Sequence, residues 1–330
     1  MKKVLITGGA GFIGFHAAKY LVENAYDVDL VDNFYRGVDD YELEELCTNK
    51  NVRFIRSDIL SENFGDKLDK DYDLIFHFAA IIGVERVLKY PYNVLHDNVI
   101  MLSNILNFAI HQRQIKRFVY TSTSEVYAGT LNYGNLAIPT PEATTLTVND
   151  LQQPRTSYML SKIYGEALCQ QRGVPFTIFR PHNIYGPRMG LSHVIPELLQ
   201  KVYNAGNKDS LEVFSADHTR TFCFIQDAVK MMVLAAESEL CVNETFNLGA
   251  QSPEITMRHL ARIILKIVDK KLSLDEQLPT VGSPARRCPD MTKLMRSIGY
   301  KAETNLEDGI KMTYDWYLKN IFQENGVSAK

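Results

Sequence analysis

VLITGGAGFIG, from Val4 to Gly14, opens as a short apolar strand and turns through Gly8, Gly11 and Gly14 into a helical pattern. Ala17, Ala18, Leu21 and Val22 carry that pattern. A tight turn at this place needs a missing Cβ or a positive φ. An anionic ligand needs bare backbone N–H groups at a helix N-terminus, and the helix must lie close on its strand. Glycines at this spacing meet the three needs in turn. The pattern G-x-x-G-x-x-G differs by one residue from the commonest dinucleotide fingerprint, and a glycine turn alone also describes an ordinary strand–turn–helix corner.

The following strand, VDLVDN (Val28 to Asn33), ends at Asp32. A carboxylate there accepts hydrogen bonds from a ribose diol and repels a 2′-phosphate, which favours NAD over NADP. Arg36 nearby tempers the preference without reversing it.

At 330 residues, 45% apolar and 23% charged, the chain is long enough for a large core and for two unequal lobes. A net charge of −3 gives no reason to expect nucleic acid or a membrane surface as partner, so a phosphate-rich ligand must meet a local basic pocket. No apolar run approaches a membrane span, and the N-terminus enters a strand at once, so a cytoplasmic protein is expected. Five scattered cysteines without metal-ligand spacing read as reduced thiols, with no metal site.

Strand-like runs VLIT, VDLVD, VRFIRSD, LIFHFAA and RFVYTST alternate with helical patterns around 12–24, 61–68, 92–113 and 156–171. Such alternation predicts an α/β fold, a doubly wound parallel sheet of Rossmann-like form, with ligands outside the carboxyl ends of its strands. At those ends stand Asp58, which serves equally as an adenine contact or a polar terminus, and the small-residue floor Phe78, Ala79, Ala80. The fifth strand ends in the hydroxyl cluster Thr121-Ser122-Thr123-Ser124 followed by Glu125. A long irregular segment, 128–155, follows; loops of this length are usually functional. Then Tyr158 and Lys162, four residues apart, project from one helix face. An ammonium beside a phenol stabilises the phenolate and lowers its pKa, as a tyrosine acid/base requires, and the lysine can also hold the nicotinamide ribose.

The glycine turn, the Ser/Thr cluster and YxxxK together resemble the extended short-chain dehydrogenase/reductase superfamily, within it the nucleotide-sugar epimerases, dehydratases and decarboxylases. FRPHNIYGPR (Phe179 to Arg188), HTRTFCFIQDAV (His218 to Val229), FNLGA (Phe246 to Ala250) and ARRCPDMTKL (Ala285 to Leu294) extend the likeness to about residue 315. The resemblance implies a NAD-binding domain over 1–181, with 225–250 returning to it, and a smaller C-terminal α/β nucleotide-sugar lobe over 182–330. It implies that Tyr158 takes the sugar hydroxyl proton, with Lys162 and Thr123 beside it and Glu125 as base or sugar-facing group. Implied cofactor contacts are Gly8, Gly11, Phe12, Ile13, Gly14, Asp32, Asn33, Asp58, Ile59, Phe78, Ala79, Ala80, Asn98, Thr121, Tyr158, Lys162 and Pro181. Implied substrate contacts are Ser124, Asn183, Arg188, Arg220 and Arg287, the arginines suited to phosphate by their planar fork. A homodimer through the helices at 92–113 and 156–171 is implied as well.

Oxidation at C4 leaves a ketone that can be epimerised, dehydrated, decarboxylated or released. Thr123-Ser124-Glu125 lacks the Asp of the dTDP-glucose dehydratase pattern and resembles both GDP-mannose-type dehydratases and UDP-glucuronate decarboxylases. ARRCPD leans toward the decarboxylases, whereas SEVYAGT lacks the glycine expected directly after the tyrosine. An oxidase releasing the 4-keto sugar, or a non-catalytic NAD-binding regulator of the same fold, stays open. Regulators of that kind lack the Tyr/Lys pair present here.

Overall fold

The computed structural model of the chain describes residues 1–134, 136–148, 150–206, 209–279 and 284–323. Six strands alternate with helices in the N-terminal half: β1 (Lys3–Thr7), β2 (Asp27–Asp32), β3 (Val52–Arg56), β4 (Leu74–His77), β5 (Arg117–Thr121) and β6 (Phe176–Pro181). With the late strand Glu244–Leu248 they form one seven-stranded sheet, ordered Glu244–Leu248, β6, β5, β4, β1, β2, β3, every pairing parallel. The strand order reverses between β1 and β4, which opens a crevice at their carboxyl ends. The strand Glu244–Leu248 therefore completes the N-terminal sheet from far along the chain.

Period-two alternation divides the core. Val4 and Ile6 face one layer, packed with α1 (Phe12–Glu23) and the helix Ile225–Glu237. Leu5 faces the other, packed with α4 (Pro91–Ile110, after the shorter α2, Tyr41–Cys47, and α3, Val84–Lys89). α6 (Pro154–Gln171, after α5, Ala128–Asn132) lies on that same side. Proline at the first helical position starts both α4 and α6, where its missing N–H costs nothing.

Three differences from expectation are local. The segment 61–68 makes only a 3₁₀ turn, Phe64–Lys67, with Gly65 pressed against the Phe108 ring. Tyr41–Cys47 is helical because the Asp40 side chain accepts the Leu43 N–H at 3.0 Å. The irregular segment 128–155 begins with α5 and then bonds residues far along the chain: Thr140 N–H donates to Cys288 O and Asp290 N–H to Thr140 O, each at 2.9 Å.

Later in the chain the strands Ile255–Thr256, Thr219–Arg220 and Arg286–Arg287 form a small sheet that sets Arg287 in register with Arg220. Under the junction of β5 and β6 lies a buried ion pair. Arg180 donates to both oxygens of Glu166, at 2.9 and 2.7 Å, and Ser122 Oγ donates to Glu166 Oε1 at 2.6 Å. Removing one member leaves an uncompensated buried charge, which typically costs about 3–5 kcal/mol. Glu166→Ala is therefore expected to lower unfolding free energy by about 3–5 kcal/mol in urea titrations; a loss below about 1 kcal/mol would place the pair among surface-like bridges.

Candidate active site

The glycine turn is built by contact. A Cβ on Gly8, whose φ is +73°, would lie 2.7 Å from Ala79 N, and one on Gly14 would lie 2.1 Å from Gly8 O. The segment leaving β4 thus runs directly across the turn. α1 begins at Gly11 in extended backbone with no side chain capping it among the described residues. Its first N–H groups, carrying the positive end of the helix dipole, suit a diphosphate, so this cradle fits a dinucleotide. Gly9, which sequence reading passed over, is equally constrained: its Cβ would lie 2.8 Å from Leu30 Cβ.

The other expected cofactor residues stand at the carboxyl end of the sheet. Asp32 closes β2, its Oδ2 accepting from Ala10 N–H at 3.0 Å and its Oδ1 from Phe34 N–H at 2.8 Å. Burial raises its pKa against those two bonds. Asn33 reaches Asp58 at 3.1 Å, so the two adenosine-side residues meet. Ile59 is core, its carbonyl accepting from Asn104. Phe12 and Ile13 open α1, Phe78 to Ala80 follow β4, and Thr121 and Pro181 end β5 and β6. Asn98 acts at one remove: its amide accepts from Ile81 N–H at 2.7 Å and donates to Ile81 O at 3.0 Å, bracing the segment beyond β4.

Tyr158 and Lys162 share a face of α6, opposite Thr123 at the end of β5. Tyr158 is half-buried, with the Thr123 hydroxyl close enough to act on its titration. Burial pushes its phenol up to about 12, with Glu125 adding to the rise and the Thr123 hydroxyl and Arg36 opposing it. Lys162 is buried, and its Nζ donates to Thr121 O at 2.8 Å. Burial lowers its pKa to about 8, partly offset by Cys169 and Glu166. The expected depression of the phenol by the lysine is thus corrected. The ammonium lies 5.9 Å from the Tyr158 ring centre, is spent on a strand carbonyl, and does not outweigh desolvation.

A second cluster adjoins the first. Arg287 Nη2 donates to Glu125 Oε1 at 2.8 Å, and Arg220 lies beside Arg287 on the neighbouring strand. Arg220 bonds Pro284 O at 2.6 Å, and burial with the charge of Arg287 lowers its pKa to about 10. Arg286, next in chain, turns away to Glu254 at 2.7 Å. Ser124, Glu125 and Arg287 share the wall of a cavity of about 620 Å³. Asn183, at φ 43°, donates to Thr221 O at 2.9 Å beside this lobe.

Arg188 requires correction as a substrate residue. Its side chain is 2% exposed and its donors are taken by Asp40, at 2.7 and 3.0 Å, Ala10 O at 3.1 Å and Val38 O at 2.9 Å. It braces the glycine turn against the loop after β2. Arg36, read only as a weak cofactor signal, instead lies within electrostatic reach of Tyr158 and His193. Among the described residues no helix is long and apolar enough to cross a membrane, and no group of metal-ligating side chains converges.

The buried lysine gives a stability test. Its folded pKa of about 8 lies below the ordinary 10.5, so in that interval the unfolded chain holds a proton the folded one has released. Stability from this group therefore rises with pH across the window. Ligand-free wild type is expected to gain about 2–3 kcal/mol relative to Lys162→Met between those two pH values, read by urea unfolding. Parallel curves would contradict the desolvation of Lys162.

Residues 4–249 match the family model of the NAD dependent epimerase/dehydratase family. The chain is 32% identical to UDP-N-acetyl-alpha-D-glucosaminuronate decarboxylase of Bacillus cytotoxicus, over 96% of this chain and 98% of that one. It is 30% identical to UDP-glucuronic acid decarboxylase 2 of Arabidopsis thaliana, over 99% of this chain and 71% of that one. The structure superposes on UDP-glucuronic acid 4-epimerase of Bacillus cereus, solved with UDP-glucuronic acid and NAD, with TM-score 0.79 and 26% identity, covering 96% and 99% of the two chains. With a Rossmann-like sheet, a glycine cradle that fits its cofactor, and a family match over most of its length, the chain belongs to the NAD-dependent epimerase/dehydratase family, with NAD as cofactor.

Proposed function

We propose that the protein is a nucleotide-diphosphate uronic acid decarboxylase that works through oxidation at C4. The observation that carries this reading is the Arg287–Glu125 contact at 2.8 Å on a cavity wall, with Glu125 two residues beyond Thr123. A dehydratase needs an unencumbered base for the C5 proton. Here the candidate carboxylate already accepts from a guanidinium, and Ser124 stands where the acid partner would be. A decarboxylase needs no C5 base and benefits from a cation that draws in the sugar carboxylate, which Arg287 supplies. The 32% and 30% identity to two UDP-uronic acid decarboxylases supports the same choice.

In this reading Arg220 binds the diphosphate, and Tyr158, beside Thr123, takes the C4 hydroxyl proton. Bound NAD supplies the acceptor for the C4 hydride and returns it at the end. The resulting ketone lies β to the carboxylate, so the C5–C6 bond breaks with its electron pair passing to the C4 oxygen. Tyr158, now protonated, donates to that oxygen while carbon dioxide leaves, giving an enol. The enol takes a proton from solvent at C5 and returns its O–H proton to Tyr158, which gives it back to the C4 oxygen as the hydride returns to C4. Lys162, anchored on Thr121 O, holds the phenol's side of the site in position. A homodimer through α4 and α6, whose outer faces leave Tyr92 and Tyr164 exposed, belongs to the same proposal.

Incubation of the NAD-loaded protein with UDP-glucuronate and UDP-N-acetylglucosaminuronate, products read by mass spectrometry, is expected to show loss of carbon dioxide. Unchanged mass with inversion at C4, or loss of water from UDP-glucose or dTDP-glucose, would overturn the reading. Tyr158→Phe is expected to lower kcat by roughly 10²–10⁴-fold while NAD stays bound. Near-normal turnover would remove the phenol from the reaction.

A further inference from the structure

Two loops flank the glycine turn and meet across it. One leaves β2 at Asp32 and returns at Gly37. Phe34 N–H stays on Asp32 Oδ1 at 2.8 Å, a Cβ on Gly37 would lie 2.6 Å from Ala10 Cβ, and Val38 N–H donates to Ala10 O at 3.1 Å. Both ends of this loop are thus fastened to the turn, and Tyr35 and Arg36 form its tip. The other loop leaves β4, crosses the turn at Ala79 and enters α3, which carries Arg86. The Arg86 guanidinium lies over the Tyr35 ring, 4.1 Å from its centre. In the sheet β1 stands between β2 and β4, so a contact between their loops has to span the carboxyl end of β1, where the glycine turn begins.

The charges at this bridge are unusual. Arg53, Arg180 and Arg188 each hold a carboxylate. Arg36 and Arg86 make no ion pair or hydrogen bond among the described residues, and Arg86 has only the Tyr35 ring. Packing around Arg36 and the charge of Arg86 lower its pKa, against the Tyr158 phenol, so the side chain lies within charge reach of both. That direction is toward β4 and α6, away from the corner where Asn33 meets Asp58 and a ribose 2′-hydroxyl is read. Two neighbouring cations without a counter-ion repel each other, and an anion lodged between them turns repulsion into attraction. A chain of net charge −3 meets a phosphate-rich ligand through a local basic pocket, and these two guanidiniums form one beside the glycine turn.

We propose that Arg36 and Arg86 bind the diphosphate of NAD, sharing it with the N–H groups at the start of α1, and that Tyr35 positions Arg86 for it. A guanidinium fork suits phosphate oxygens, and its stacking on an aromatic ring leaves the N–H edge free to donate. A sugar nucleotide also carries a diphosphate. The cofactor's is the one assigned here because both loops are fastened to the glycine turn. NAD is the cofactor whichever reaction follows oxidation at C4, so the clamp stands apart from the decarboxylase reading.

The test is release of NADH from the NADH-loaded protein, followed by loss of its bound-state fluorescence during a chase with excess NAD. Tyr35 and Arg36 are exposed and Arg86 is half-buried, so their variants are expected to fold, as thermal unfolding checks. Arg36→Met and Arg86→Met are each expected to speed release roughly tenfold, with Arg36→Lys recovering much of the loss. Raising the salt concentration is expected to speed release from wild type more than from the double Met variant. Tyr35→Leu is expected to speed release about two- to fivefold in wild type and to add nothing in Arg86→Met. UDP affinity of the NAD-loaded variants, read by titration calorimetry, is expected to be unchanged. Wild-type release rates in both Arg→Met variants, or a loss confined to UDP, overturn the proposal. Faster release that is indifferent to salt and to Arg36→Lys overturns it as well, being the mark of a merely structural role. An equal effect of Tyr35→Leu in both backgrounds removes Tyr35 from the clamp.

Discussion

Backbone lies on backbone where β1 gives way to α1, and the molecule is arranged around that closeness. The carbonyl of Gly8 faces the α carbon of Gly14, and the segment leaving β4 crosses the same turn at Ala79, with no room for a methyl group at either contact. Two strands and a helix meet there at the point where the sheet reverses its order. The reversal opens the crevice at the carboxyl ends of the strands, and the close contact sets the N-terminus of α1 at its edge. Arg188, brought from far along the chain, braces this corner by bonding Ala10 O, Val38 O and Asp40.

The candidate site is assembled by two long returns of the chain. The strand Glu244–Leu248 comes back to the sheet edge and brings Asn247, whose amide meets Tyr127 and His182. The segment around Thr140 then pins Cys288 and Asp290, next to the Arg286–Arg287 strand. By this route a guanidinium from late in the chain reaches Glu125, just beyond β5. The candidate site thus joins residues of the sheet's carboxyl end to arginines from a separate small sheet.

Features governed by local spacing were readable in the chain. The glycine turn, the strand alternation and the Tyr158/Lys162 face depend on residues close in sequence, and periodicity reports those directly. Fold class and cofactor followed from them. Environment was less readable. The i, i+4 relation places the lysine near the phenol, yet the sign of the phenol's shift depends on how deeply α6 is packed, and burial wins. Arg188 looked like its phosphate-binding counterparts because a motif does not reveal which carbonyls surround it. The Arg287–Glu125 pair joins residues 162 positions apart, and the His182–Asn247 contact joins residues 65 apart. Neither leaves a mark in local pattern. The segment 61–68 was expected to be helical, yet it makes a single 3₁₀ turn, with Gly65 close to the Phe108 ring.

Arg286 and Arg287 are adjacent on a strand, so their side chains leave it on opposite faces, one to Glu254 and the other to Glu125. Parity along that short strand therefore carries chemical meaning. An insertion or deletion of a single residue just upstream would keep both arginines, the composition and the net charge, yet exchange their roles. Glu125 would then meet the arginine that now pairs with Glu254, so pairing register, and not composition, decides which guanidinium reaches which carboxylate.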